Sequence, residues 1–212
     1  MSLAEVTTAA GSTRAARRDG RRGYFDPKFD RFAIKVHPGE HYLTAQSDEM
    51  LVTVLGSCAS ACIRDPGTGF GGMNHFMLPE SETGQWGASS AAMRYGNHAM
   101  EMLINTVISS GCPRHRLEIK LFGGANVTGG TSGIGDQNAE FILRYMKNEG
   151  LAIAAMDLGG MKPRRVHYFP DTGKVKRLFV GLKGRRDVAD QEQSFRQQIC
   201  DAPVGGDVEL FT

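Results

Sequence analysis

Apolar and polar positions alternate in short runs along most of the chain, and glycine, proline and aspartate cut the runs apart. "RFAIKV" (31–36) and "MLVTVL" (50–55) read as strands with a Pro-Gly turn and polar residues between them. "SACIRD" (60–65) and "GGMNHFML" (71–78) read as two more, joined across "PGTG". The period then lengthens. Ala92, Tyr95, Ala99, Leu103 and Thr106 share one helical face, with Met102 and Val107 beside them, and Gly111 supplies the stop. "RLEIKLFGGA" (116–125) alternates Leu117, Ile119 and Leu121 with charged residues, as a half-buried strand does. Asp136 is the predicted N-cap of a second helix that carries Ala139, Ile142, Leu143 and Met146 and closes at Gly150. "LAIAAMDLGG" (151–160), "RVHYF" (165–169) and "KVKRLFVGL" (174–182) complete the strands, the last two as a hairpin across "PDTG". Strands outnumber helices and many are hairpin neighbours. The predicted class is therefore α+β, with mixed and antiparallel sheets, sandwich-like, packed with two main helices.

Composition narrows the function. The 212 residues are 41% apolar and 23% charged, the balance of a soluble globular domain with flexible ends. No apolar run approaches the roughly 20 residues of a bilayer crossing. The N-terminal alanines are interrupted by Glu5, Thr7, Thr8 and Ser12, so no secretory apolar segment develops. A cytoplasmic protein without membrane insertion is expected. There Cys58, Cys62, Cys112 and Cys200 would remain thiols. A net charge of +2 gives no reason to expect a nucleic-acid surface. Arg14, Arg17, Arg18, Arg21 and Arg22 mark residues 1–28 as a disordered basic tail; 29–184 form the predicted domain and 185–212 a polar, Gln-rich exposed helix and tail. A second basic run from Lys162 to Arg186 is either a solvated face or a docking surface for an acidic protein.

Glycine is abundant, with 27 residues, and several stand in pairs at strand ends: 71–72, 123–124, 129–130 and 159–160. Such pairs admit positive φ and close backbone approach. None is followed by a phosphate-loop lysine, and no dinucleotide fingerprint follows a strand, so nucleotide binding is set aside.

The chemistry concentrates in "VLGSCASACIRDPGTGFGGMNHFMLP" (54–79). The strand ends in Gly56-Ser57, which lifts Cys58 out of the ladder at a corner where backbone N–H groups could receive an oxyanion. His75, one hairpin further on, is placed to take the thiol proton. The same residues also read as a buried thiol and a satisfied core imidazole, and spacing alone does not choose. Cys58 and Cys62 form C-x3-C, which His75 could join as a metal ligand, yet neither Cys112 nor Cys200 brings a second tight pair. His98 and His115 read as solvated, and His167 and Cys62 as structural. Trp86, in the loop 80–90, reads as a substrate-facing anchor or a partly buried loop residue.

"TVLGSCASACIRDP", "GGMNHFMLP", "RYGNHAMEMLINTVISSG", "KLFGGANV", "IGDQNAEFI" and "DLGGMKPRRVHYFPDTGKV", in that order over residues 30–183, closely resemble the CheD family of chemoreceptor glutamine deamidases. The resemblance implies a cysteine-hydrolase-like domain that converts chosen receptor glutamines to glutamates through a thioester, with no metal or organic cofactor. It assigns the nucleophile to Cys58, the base to His75 and an orienting threonine to Thr53. Strict strand alternation would send Thr53 and Cys58 to opposite faces, so a bend at Gly56-Ser57 is required. Asn74 and Ser57 are the substitutes for the orienting role, and Gly56, Ser57 and Asn74 are the candidate substrate and oxyanion residues beside Cys58. The implied partners are receptor cytoplasmic domains and a CheC-type phosphatase. A non-catalytic regulatory module, or hydrolysis of other amides, are the competing functions.

Overall fold

A computed structural model describes residues 23–78, 91–127 and 133–201. Residues 1–22 of the basic tail, the loop with Trp86 and the end of the C-terminal tail lie outside the described residues. In chain order the elements are β1 (Gly23–Asp26), β2 (Arg31–Lys35), β3 (His41–Thr44), β4 (Glu49–Leu55), β5 (Ala59–Arg64), β6 (Gly71–Asn74), α1 (Ala91–Ser109), β7 (Glu118–Gly123), α2 (Ile134–Asn148), β8 (Ala155–Leu158), β9 (Arg164–Phe169), β10 (Lys174–Phe179) and α3 (Leu182–Asp201).

The strands form two mixed five-stranded sheets, ordered β1-β2-β4-β9-β10 and β3-β6-β5-β7-β8. β2 runs parallel to β4 and β7 parallel to β8, and the remaining pairs are antiparallel. The α+β class and the sandwich-like pairing of sheets both hold. Strand periodicity explains the layering. On β5, Ala59, Ala61 and Ile63 pack with Leu103, Ile104 and Val107 of α1 and Phe141 and Ile142 of α2. Its alternate residue Cys62 joins Leu51, Leu55, Val166 and Tyr168 of the first sheet. The second sheet is thus covered on both faces, which is why β5 reads as a nearly continuous buried run. On the outer face of the first sheet, Ala33, Met50, Val52 and Phe169 make a smaller cluster with Phe29 against it. His167 stacks there, its ring centroid 5.0 Å from that of Phe29, in the structural role expected of it.

The hairpins across "PGTG" and "PDTG" form as predicted, with Cys62 opposite Met73 and Lys174 opposite Phe169. Several details differ. β3 is an additional strand, short and polar enough to read as a connection, and residues 23–26, expected within the disordered tail 1–28, instead form β1 and pair with β2. α2 starts at Ile134 with left-handed Gly133 as its N-cap, and Asp136 falls in its first turn. Leu143 and Met102, expected on core faces, are 38% and 40% exposed, because the buried stripes run through Phe141, Ile142 and Tyr145 and through Met100, Leu103 and Ile104. The chain from residue 180 leaves the strand ladder because α3 begins at Leu182. Arg164, counted within a basic surface run, is 1% exposed and is held by the Asp157 carboxylate and the carbonyls of Asp157 and Gly159.

Two glycine positions tie this frame to the site. Gly123 has φ +109°, and a Cβ there would lie 2.1 Å from the carbonyl oxygen of Cys58. Gly123→Ala is therefore expected to cost about 3 kcal/mol or more through backbone strain and collision. Urea unfolding reads this directly; a change under about 0.5 kcal/mol would show that the corner yields easily. Gly124 continues the clamp with an N–H donated to the Cys58 carbonyl at 2.7 Å.

Candidate active site

β4 belongs to the first sheet and β5 to the second, so residues 56–58 are where the chain passes between them. The turn is set by its carbonyls. Ala125 N–H donates to the Gly56 carbonyl at 2.7 Å, Asn138 Nδ2 to the Ser57 carbonyl at 3.0 Å, and Gly124 N–H to the Cys58 carbonyl. With the three carbonyls held on one side, the N–H groups of Gly56, Ser57 and Cys58 converge on the other and form an anion-binding nest. Asn138 is wholly buried on α2 and also accepts the Leu78 N–H at 2.8 Å. Sequence reading missed this residue; its only signal is an amide on the buried stripe of an amphipathic helix.

Thr53 lies between Leu51 and Leu55 on β4, on the face toward the second sheet, and His75 follows the end of β6. The loop between β2 and β3 fixes the His75 backbone, which donates to the Glu40 carbonyl at 2.9 Å and accepts from Gly39 N–H at 2.7 Å. The Thr53 hydroxyl donates to the Val36 carbonyl at 2.8 Å and lies 2.8 Å from His75 Nδ1. A hydroxyl has one hydrogen, so Nδ1 must be the donor toward Thr53 Oγ1. The second ring nitrogen, Nε2, is then an unprotonated base, buried and without a hydrogen-bond partner among the described residues. Cys58 Sγ, a His75 ring nitrogen and a Glu192 carboxylate oxygen all lie within 4.8 Å of one another. The bend at Gly56-Ser57 thus brings Thr53, Cys58 and His75 together. Asn74 does not join them: its side chain accepts the Ala61 N–H and donates to the Ala99 carbonyl, tying β6 to β5 and α1.

The fourth participant was not foreseen. Glu192 on α3 is 6% exposed, and its carboxylate accepts hydrogen bonds from Gly56 N–H (2.9 Å), Ser57 N–H (2.8 Å), Ser57 Oγ (2.8 Å) and Cys58 N–H (3.1 Å). Burial, and then the adjoining Glu192 carboxylate, push the Cys58 thiol well above its ordinary range. Burial brings His75 down to about 4, against a smaller opposing pull from Glu192. Both partners are consequently neutral at pH 7: a thiol facing an imidazole. Cys58, His75 and Glu192 have the donor types of a zinc site. The three N–H groups aimed at the carboxylate, however, select for an anion. Cys62 stands apart, packed among apolar residues between the sheets, where burial keeps its thiol protonated.

Cavities flank this centre on both sides of α3. One of about 930 Å³ is lined by Val36, Pro38, Thr53, His75, Val188 and Phe195 among others, and one of about 280 Å³ by Ser57, Met77, Asn126, Val127, Gln193 and Arg196 among others. Thr53→Val would remove the acceptor that fixes the imidazole tautomer while keeping side-chain volume. A fall in kcat of about ten- to a hundredfold with KM little changed is expected; a variant with parental kcat would leave Thr53 without an orienting role.

The family model described as CheD chemotactic sensory transduction matches residues 77–177. A protein of Rhodopseudomonas palustris (strain BisA53) named probable chemoreceptor glutamine deamidase CheD is 53% identical over 91% of this chain and 91% of its own. Relatives of the same name from Halorhodospira halophila and Saccharophagus degradans are 48% and 47% identical, each over 89% of this chain and 88% of theirs. With identity of this degree over nearly the whole length of each partner, the chain belongs to the CheD family.

Proposed function

We propose that the protein is a cysteine-dependent deamidase of chemoreceptor glutamines, with Cys58 as nucleophile, His75 as base and acid, Thr53 as the residue that orients His75, and the Gly56–Cys58 N–H groups as the oxyanion site. His75 Nε2 takes the Cys58 proton as sulfur attacks the carboxamide carbon of a bound glutamine. The oxygen gains the negative charge and is held by the nest, where fixed dipoles in a dry site are worth most. The imidazolium then protonates the departing nitrogen, ammonia leaves, and a thioester remains. Water, deprotonated by the neutral imidazole, attacks the thioester; the C–S bond breaks and glutamate is released. Every step uses side chains and backbone of this chain.

The observation that carries this reading is the unpartnered Nε2 of a tautomer-fixed His75 beside a thiol at a three-amide nest. A purely regulatory module needs none of these groups. The substrate in this reading is the cytoplasmic part of a chemoreceptor, which places the enzyme in the cytoplasm; no helix among the described residues is long and apolar enough to cross a membrane. The family resemblance adds a CheC-type phosphatase as a further partner. Incubation with a receptor cytoplasmic fragment, followed by peptide mapping, should convert particular glutamines to glutamates. A receptor with available glutamines that stays unmodified would overturn the assignment.

A further inference from the structure

α3 is a polar helix with one buried stripe. Val188 is 7% exposed, Glu192 is 6% exposed, and Phe195 is partly buried against the cluster between the sheets. Their spacing, with Ile199 half-buried beyond them, is that of a single helical face. Apolar residues at 188 and 195 are what such a face requires; a glutamate between them is not, because carboxylates are almost never buried unless paired. Here the partners are backbone amides: its oxygens accept the donors of the Gly56–Cys58 corner. A Cβ on Gly56 would stand 2.7 Å from Glu192 Oε2, so the carboxylate lies directly on the backbone.

Three consequences meet at this carboxylate. The nest is full: the oxyanion of a tetrahedral intermediate needs the same N–H groups, and one set of donors cannot serve both. The cleft is covered: α3 lines both flanking cavities, with Glu192 on the wall of each, so the helix lies as a bar across one trench. The group is chemically informative: a glutamate side chain held on a helix, its carboxyl at the thiol, is what the reaction leaves behind.

We propose that α3 is an intramolecular occupant of the substrate cleft, with Glu192 standing in for the glutamate product, so that substrate enters only when α3 leaves. This rests on the deamidase reading of the same site. The structure is then the closed, product-like form, and α3 competes with receptor helices for the nest. Outside the nest the Arg185 Nε–H donates to the Val127 carbonyl at 2.7 Å, and Val188 and Phe195 supply apolar contact. A polar helix seated through one buried stripe can be displaced by a better-fitting one.

The test is the rate at which iodoacetamide alkylates Cys58 in the full chain, located by peptide mapping. Glu192→Ala removes the carboxylate, and Phe195→Asp unseats α3 without touching the nest. Each is expected to raise the rate at least about tenfold over the parent. Equal rates in all three would overturn the proposal. Glu192→Gln gives a second readout that a misfolded chain could not imitate. Position 192 becomes a substrate in place: Cys58 should attack the new carboxamide carbon, expel ammonia and restore the glutamate by hydrolysis, and the same chain with Cys58→Ala should keep its glutamine. If the introduced glutamine survived in a chain that deamidates a receptor fragment in trans, the carboxylate would not occupy the product position and the proposal would fall. Faster alkylation with no glutamine converted in cis or in trans would retain the covering helix and remove the deamidase reading instead.

Discussion

Replacing Cys58 by alanine is expected to abolish receptor deamidation, lowering the rate by at least about 10⁴-fold. The size of the effect follows from what is deleted. Without sulfur there is no covalent intermediate, and the nest and His75 can only assist direct attack by water on an unactivated amide, a far slower reaction. The fold should tolerate the change. Cys58 is fully buried, but its carbonyl still accepts the Gly124 N–H, the neighbouring Ala59 still pairs with Phe76, and alanine removes one heavy atom. A stability loss of about 1 kcal/mol is expected, readable as a small shift in the urea midpoint. Deamidation within tenfold of the parent would move the nucleophile to another of the chain's cysteines, Cys62, Cys112 or Cys200.

His75→Gln is expected to lower turnover by about 10²- to 10⁴-fold, the range of a lost general acid–base. It also has a signature that a mere packing residue would lack. Burial holds the folded His75 at about 4, below its ordinary 6.5, so the unfolded chain binds a proton that the folded chain refuses. Where the unfolded state carries more protons, stability rises with pH. The contribution of neutral His75 is thus fully present above about pH 6.5 and declines as pH falls toward 4. Glutamine does not titrate, so the variant should lose less stability than the parent between pH 7 and pH 5. Parallel urea-midpoint profiles for the two proteins would mean that His75 is solvated and charged in the folded state, which the mechanism forbids.

Taken together, these experiments separate chemistry from access. Cys58 and His75 variants fail whether or not the cleft is covered, whereas Glu192 and Phe195 variants change how readily Cys58 is reached. The distinction matters because the resting thiol and imidazole are both neutral and the nest beside them holds the Glu192 carboxylate. A thiol kept protonated by burial and by an adjacent carboxylate is a poor nucleophile, and expulsion of α3 would remove the carboxylate at the moment a neutral carboxamide arrives.

By itself the sequence determined the local parts. Alternating apolar runs gave most strands, turn residues gave the two hairpins, and 3.6-residue periodicity gave α1 and α2, since each depends on neighbours along the chain. It also supplied the motifs by which the family resemblance points to Cys58, His75 and Thr53. What it left open was the face problem between Thr53 and Cys58, which an unbroken ladder would place on opposite sides. Only the passage of the chain from one sheet to the other at Gly56–Cys58 resolves it, and that passage is fixed by distant donors: Gly124 and Ala125 after β7, and Asn138 on α2. Boundary errors have the same origin. Leu143 and Met102 satisfy a helical period but lie at the edges of stripes whose centres are set by the sheet beneath. α3 shows the limit most plainly. Its composition reads as a solvated helix, because a burial signal carried by Val188, Phe195 and Ile199 in twenty mostly polar residues is too sparse to register. Glu192 reads as one more surface carboxylate until tertiary packing sets it on three amides more than 130 positions earlier in the chain, where its charge has partners that no local pattern encodes.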